Sequence, residues 1–171
     1  MNKVLLIDGH SILNRAFYGL PDLTNAKGQH TNAVLGFVNI FLKLIEEESP
    51  THVFVAFDVH QPTFRHLMYS EYKGTRKGMP KELVSQVPLL KEVLHAMGVA
   101  TVEKGGYEAD DIIGTFARVV DERDDLSGLI VSSDKDLLQL ISDKVQVKLL
   151  KQTGYIMMDK ETFRETYKVD P

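Results

Sequence analysis

Three carboxylates fall within four positions at Glu108, Asp110 and Asp111, where an apolar pattern of helical period begins. Ala109, Ile112, Ile113, Phe116, Ala117 and Val120 recur at the spacing of one helix face. The acids therefore crowd the first turn of a helix whose other face is buried. Acids at a helix N-terminus complement its dipole at about 0.3–1 kcal/mol each, which accounts for one or two of them. Three adjacent carboxylates repel one another, and the dipole is too weak to offset that if further acids converge there. A divalent cation does offset it, and hard cations such as Mg²⁺ take oxygen ligands.

Further acids stand at the ends of apolar runs. Residues 3–7 read as a buried strand that stops at Asp8, and residues 51–57 as a second that ends at Asp58. A short strand at 99–102 turns through Gly105-Gly106 into the acidic helix. Residues 128–131 form another strand, followed by Ser132-Ser133-Asp134-Lys135-Asp136 and a short helix to about 141. Helices are expected over 12–18 with Ser11 as N-cap, over 32–47, over 81–97 and over 159–167. Residues 145–150 and 155–158 read as strands, forming a hairpin around Thr153-Gly154. Residues 20–30 are rich in turn residues, and 62–80 is the least regular stretch. Strands alternating with helices at this spacing predict one α/β domain with a mainly parallel sheet, without repeats or an internal boundary.

In an open parallel sheet, ligands bind outside the carboxyl ends of the strands. Asp8, Asp58, Glu108, Asp110, Asp111, Asp134 and Asp136 all fall on that edge. Taken singly, an acid after a strand is ordinarily a cap or a turn residue. Four strand ends delivering acids to one edge argue instead for a site. Such a pocket cannot hold seven negative charges without cations. Two divalent ions, ~3.5–4 Å apart, would clamp a phosphoryl group and need no side-chain nucleophile. Other chemistries fit less well. No Gly-x-x-x-x-Gly-Lys-Ser/Thr or Gly-x-Gly-x-x-Gly loop is present, and no His-x-x-x-His pair. His10 reads as a turn or capping residue, and Ser11, Ser132 and Ser133 lack a His/Asp relay for nucleophilic attack.

At 171 residues, 43% hydrophobic and 26% charged, the chain suits one globular domain with a sizeable core. It has no cysteine, which excludes disulfides and thiolate zinc sites. No apolar stretch approaches the ~18–20 residues of a membrane span, and the N-terminal run is too short for a signal peptide. A soluble protein of the cytoplasm, with no membrane partner, is expected. The net charge of −4 is unevenly distributed. Between positions 65 and 81 lie Arg65, Lys73, Arg76, Lys77 and Lys81 against a single acid, Glu71. A basic segment beside an acidic metal pocket suits a phosphodiester substrate.

Val4-Leu5-Leu6-Ile7-Asp8-Gly9, Arg15-Ala16-Phe17, Val55-Ala56-Phe57-Asp58, Tyr72-Lys73-Gly74-Thr75-Arg76, Tyr107 through Gly114 and Ser133-Asp134-Lys135-Asp136-Leu137-Leu138 occur in this order. The set resembles the 5′→3′ exonuclease (flap endonuclease) family over essentially the whole chain. Within that family it is most similar to the nuclease domains at the N-termini of bacterial DNA polymerases. The resemblance implies a PIN-like (resolvase-like) three-layer α/β fold. It implies cleavage of DNA at 5′ ends or 5′ flaps with two divalent ions, Mg²⁺ or Mn²⁺, and polymerase domains linked covalently in the same protein. By motif, the seven acids above are its metal-site residues. Arg15, Lys73 and Arg76 match basic residues near the scissile phosphate, and Tyr72 an aromatic position where a base could stack. Arg65 and Lys77 belong to the segment that resembles the family's mobile arch, and are expected to contact substrate.

Two departures accompany the match. Ser133 stands where the family usually has Gly. The chain also stops at Pro171, about where a helix–hairpin–helix-like element with two more metal-site aspartates is expected to begin. One metal position is then expected to be nearly complete and the other short of ligands. Two alternatives are a PIN-type ribonuclease and a non-catalytic module that binds DNA through the basic stretch. A phosphorylated receiver-type switch also uses strand-end aspartates but has no use for Asp134 with Asp136.

Overall fold

A computed structural model describes residues 1–59, 63–69 and 78–171. The chain runs β1 (Asn2–Asp8), α1 (Gly9–Gly19), α2 (Asn32–Glu48), β2 (His52–Ala56), α3 (Phe64–Met68), α4 (Lys81–Val84), α5 (Gln86–Ala96), β3 (Ala100–Val102) and α6 (Ala109–Asp121). It continues with β4 (Leu126–Ser132), a 3₁₀ helix (Lys135–Leu140), β5 (Val145–Leu150), β6 (Tyr155–Met158) and α7 (Lys160–Tyr167). One six-stranded sheet has the order β3-β2-β1-β4-β5-β6. Every pairing is parallel except β5 with β6. The strand order reverses direction between β1 and β4, which opens a crevice at their carboxyl ends.

The expected α/β class with a mainly parallel sheet is the one observed, in three layers. Side chains alternate across the sheet, so β1 feeds both cores. Leu5 and Ile7 join Leu13, Phe37, Phe41, Leu90 and Leu94 beneath α1, α2 and α5. Val4 and Leu6 join Ile113, Ala117, Val120, Leu137 and Val147 beneath α6 and the 3₁₀ helix. That two-sided burial explains why β1 and β4 read as unbroken apolar runs.

Two expected helices differ in the structure. Asp8, not Ser11, caps α1: its backbone is extended and its Oδ1 accepts from Ser11 N at 3.2 Å. The helix thus starts immediately after the strand, at Gly9. A Cβ there would lie 2.6 Å from the Phe57 ring and 2.8 Å from the Ala56 carbonyl oxygen, so only glycine fits. The helix expected over 81–97 is two helices, interrupted at Ser85. Pro88 has no N–H, and its ring opposes the carbonyl four residues back, at Val84, so α4 cannot run into α5.

A buried polar knot fixes α2 against its neighbours. Thr31 provides no side-chain cap for α2. Gln86, fully buried on α5, accepts instead from Ala33 N at 2.8 Å and Val34 N at 3.2 Å. Its amide donates to Asn32 Oδ1 at 2.9 Å and the Glu82 carbonyl at 3.1 Å, while Asn32 donates to the Phe17 carbonyl at 3.2 Å. Gln86→Ala leaves the α2 N–H groups buried without acceptors. It is expected to destabilise the fold by about 2–4 kcal/mol, measured by equilibrium urea unfolding, without altering cation binding at the sheet edge.

Candidate metal centre

Asp8 is the last residue of β1 and only 6% exposed. Besides the Ser11 amide on Oδ1, its Oδ2 accepts from Ser132 Oγ at 2.7 Å. Burial pushes its carboxyl up from the ordinary 3.8 to about 6, opposed by those two hydrogen bonds and reinforced by the charges of Asp58 and Asp134. A displacement of that size costs roughly 3 kcal/mol when a group so buried is ionised.

Asp58 lies two residues beyond β2, where its Oδ1 accepts from Ala109 N at 2.7 Å and so joins β2 to the first turn of α6. Its own N–H donates to His10 Nδ1 at 3.2 Å, which gives His10 the turn role expected of it. Glu108 is the N-cap position of α6, and Asp110 is half-buried in its first turn. Burial is the largest influence on Asp110, followed by the charges of Asp8, Asp134, Asp58 and Glu108, and together they push it to about 7. Asp134 follows β4 and caps the 3₁₀ helix, accepting from Asp136 N at 2.9 Å.

These five acids are brought together; the other two are turned aside. Asp111 forms a two-bond pair with Arg65, at 2.8 Å to Nη1 and 2.7 Å to Nη2, and also accepts from Glu108 N at 2.9 Å. Arg65 lies 3.5 Å from Glu108 as well, so it bridges α3 to the start of α6. Asp8, Asp58, Glu108, Asp110, Asp134, Arg15 and Tyr18 line one cleft of about 550 Å³. Asp111 and Asp136 line a neighbouring cleft of about 960 Å³, with Arg65, Lys135 and Tyr167. Glu108 and Asp110 line both, standing at the boundary.

Arg15 reaches the first cleft from α1, and its guanidinium donates to the Lys151 carbonyl at the end of β5. Tyr72, Lys73, Arg76 and Lys77 lie outside the described residues, as do all of residues 70–77 in the segment expected to form an arch. Among the described residues, no three His, Cys, Asp or Glu side chains already surround one point as a cation's ligands. The raised Asp8 and Asp110 values express burial first and the crowding of like charge second. The five acids offer carboxylate oxygens, and His10, which lines the same cleft, has its Nδ1 on the Asp58 amide. That set fits a hard divalent ion and gives no soft ligand for copper or thiolate-bound zinc.

The sequence reading missed Ser132 as a partner of Asp8. Ser132 figured there only as a nucleophile, whereas the signal was a hydroxyl residue directly ending a buried strand. The Arg65–Asp111 pair carried no sequence signal, because the partners are 46 residues apart.

A parallel sheet that delivers carboxylates to the crevice between β1 and β4 defines a resolvase-like domain with an acidic site. The family model for the 5′–3′ exonuclease N-terminal resolvase-like domain matches residues 3–168, and the chain belongs to that family. It is 45% identical over 171 residues to DNA polymerase I of Bacillus subtilis (strain 168), covering 99% of this chain and 19% of that protein. The chain thus spans about a fifth of the length of such relatives. Its fold superposes on a bacteriophage T5 protein co-crystallised with metal ions, with a TM-score of 0.77. That match has 20% identity and covers 99% of this chain and 62% of the other. A T5 flap endonuclease in a pseudo-enzyme–product complex with DNA and metal ions matches at a TM-score of 0.71, again with 20% identity and the same coverage of both chains. At that identity the likeness speaks to the fold.

Both Asp8 and Asp110 hold protons more tightly in the folded chain than in the unfolded one. The unfolded chain therefore ionises first as pH rises, and stability of the metal-free protein falls between about pH 4 and pH 7 on their account. Asp110→Asn is expected to flatten this decline and to raise the metal-free melting temperature at pH 8 by roughly 3–6 °C. Thermal melts from pH 4.5 to 8 check it; an unchanged pH profile counts against the crowding of charge at Asp110.

Proposed function

We propose that this domain binds divalent cations, Mg²⁺ or Mn²⁺, at the β1–β4 crevice and hydrolyses DNA phosphodiesters at 5′ ends or 5′ flaps. The carrying observation is the convergence of Asp8, Asp58 and Asp134, from three strand ends, on Glu108 and Asp110 in one cleft, where burial and these charges raise Asp110 to about 7. A cluster this crowded gains stability from a cation in proportion to the repulsion it cancels. Asp8, Asp58, Glu108, Asp110 and Asp134 are the acids we assign to the cations. Asp111 and Asp136 face the adjoining cleft, where a second ion would draw on the shared Glu108 and Asp110. Bound divalent cations supply an activated water and stabilise the charge developing on the leaving oxygen.

The remaining residues bind and orient. Arg15, steadied by the Lys151 carbonyl, presents positive charge at the cleft wall where a phosphate would lie. Lys73 and Arg76 are assigned to the scissile phosphate, with Tyr72 stacking a base and Lys77 contacting the backbone. Arg65 is bonded to Asp111, and we read it as anchoring α3 to α6 and tethering the basic segment to the acidic site. The greater length of the polymerase relatives supports a protein in which polymerase domains share the chain with this one. A DNA substrate of that kind is met in the bacterial cytoplasm.

The test is calorimetric titration with Mn²⁺, followed by cleavage of labelled 5′-flap DNA and of RNA of the same sequence. Saturable binding is expected, at least tenfold weaker for Asp110→Asn, with Mn²⁺-dependent release of a short 5′ fragment from the DNA. RNA cut in preference to DNA would favour the ribonuclease reading. DNA binding that is indifferent to both Mn²⁺ and Asp110→Asn would favour the non-catalytic one. A folded chain that binds no Mn²⁺ overturns the proposal.

A further inference from the structure

Ser132 ends β4 and is fully buried, at 0% exposure. The parallel ladder pairs Ile7 with Val131, which sets Ser132 beside Asp8 at the end of the neighbouring strand. We infer that the Ser132 hydroxyl is a positioning residue for the cation site, orienting the Asp8 carboxylate and fixing its spacing from Asp134. The inference rests on the divalent-cation reading above and concerns a residue outside the acidic set.

A hydroxyl carries one proton and two acceptor lone pairs. Here the proton lies on the 2.7 Å bond to Asp8 Oδ2, the shorter and charge-assisted one. A lone pair accepts from Asp134 N at 3.0 Å. One buried atom therefore bonds the side chain of the first acid and the backbone of the acid across the crevice. With Ser11 N holding Oδ1, each Asp8 oxygen has one fixed donor. That sets the plane of the carboxylate while leaving its remaining lone pairs for a cation.

Two other serines brace the arrangement. Ser11 Oγ accepts from Ser133 N at 2.8 Å, and the Ser11 and Ser133 hydroxyls bond to each other. The first turn of α1 is thus clasped to the chain leaving β4. Ser133 is the residue that departs from the glycine of the resembling family, so its hydroxyl is an additional tie. The Ser132–Asp8 bond does not pass through it. A hydroxyl that only satisfied the Asp134 amide would have no bearing on cation affinity; one that also aims Asp8 should. Groups that orient metal ligands typically account for about 10–100-fold in affinity.

The experiment is Mn²⁺ titration of the wild-type chain, Ser132→Ala, Ser132→Thr and Ser133→Ala, with thermal melts of each metal-free protein to establish folding. Ser132→Ala should weaken Mn²⁺ by about 10–100-fold, while Ser132→Thr, which keeps the hydroxyl, and Ser133→Ala stay within about threefold of wild type. A Ser132→Ala variant that binds as wild type overturns the inference while leaving the cation reading intact. An equal loss in Ser133→Ala also overturns it, since the clasp and not the Asp8 bond would then matter. If Ser132→Ala does not fold, Ser132→Cys, of similar shape but a weak donor, decides by the same affinity criterion. No binding by the wild-type chain overturns the cation reading and this inference with it.

Discussion

The repulsion among carboxylates at the β1–β4 crevice is the constraint on which the rest depends. Asp8 is buried, Asp110 half-buried, and the charges of Asp58, Asp134 and Glu108 bear on one or both. The chain's own donors offset part of this crowding. Ser11 N and Ser132 Oγ serve Asp8, Ala109 N serves Asp58, and Asp136 N serves Asp134. Each donor stands at the start of a helix or the end of a strand, where backbone N–H groups lack regular partners. The same geometry that terminates the elements therefore stabilises the acids.

Holding such a cluster requires a rigid frame. The two cores on either side of the sheet supply it, because β1 and β4 are buried on both faces and their ends cannot drift apart. Gly9 lets α1 begin directly after Asp8, against Phe57 and the end of β2. Gln86 secures the N-terminus of α2 from a helix more than fifty residues later. On the same face of the sheet, Lys148 is 1% exposed and bonded to Glu47 at 2.9 Å and Glu48 at 2.7 Å. Those acids sit unfavourably at the C-terminus of α2 with respect to its dipole, and the lysine offsets them while tying β5 to the helix.

Arg65 shows how the electrostatics divide the site. Its guanidinium neutralises Asp111 and approaches Glu108, so the acids nearest α3 are partly balanced by the chain itself. Among the described residues, the cleft holding Asp8, Asp110 and Asp134 is lined by one guanidinium, that of Arg15, which bonds a carbonyl, and by His10, 3.8 Å from Asp58. Among the described residues, negative charge is therefore least balanced on the Asp8–Asp110–Asp134 side.

Much of the fold was legible because hydrophobic period and strand-end acids are local signals. The alternation of strands and helices, the hairpin of β5 with β6, and the acidic first turn of α6 could all be read directly. The break at Ser85 was legible in principle from Pro88, but the apolar period across 81–97 masked it. The sequence by itself determined which acids end the strands, and hence that they reach one edge, since chain direction in a parallel sheet leaves no other choice. Only the tertiary structure decided how they divide, sending Asp111 to Arg65 and Asp8 to Ser132. Those partners lie 46 and 124 residues apart, and a hydrogen bond between side chains depends on packing and strand order rather than on sequence spacing.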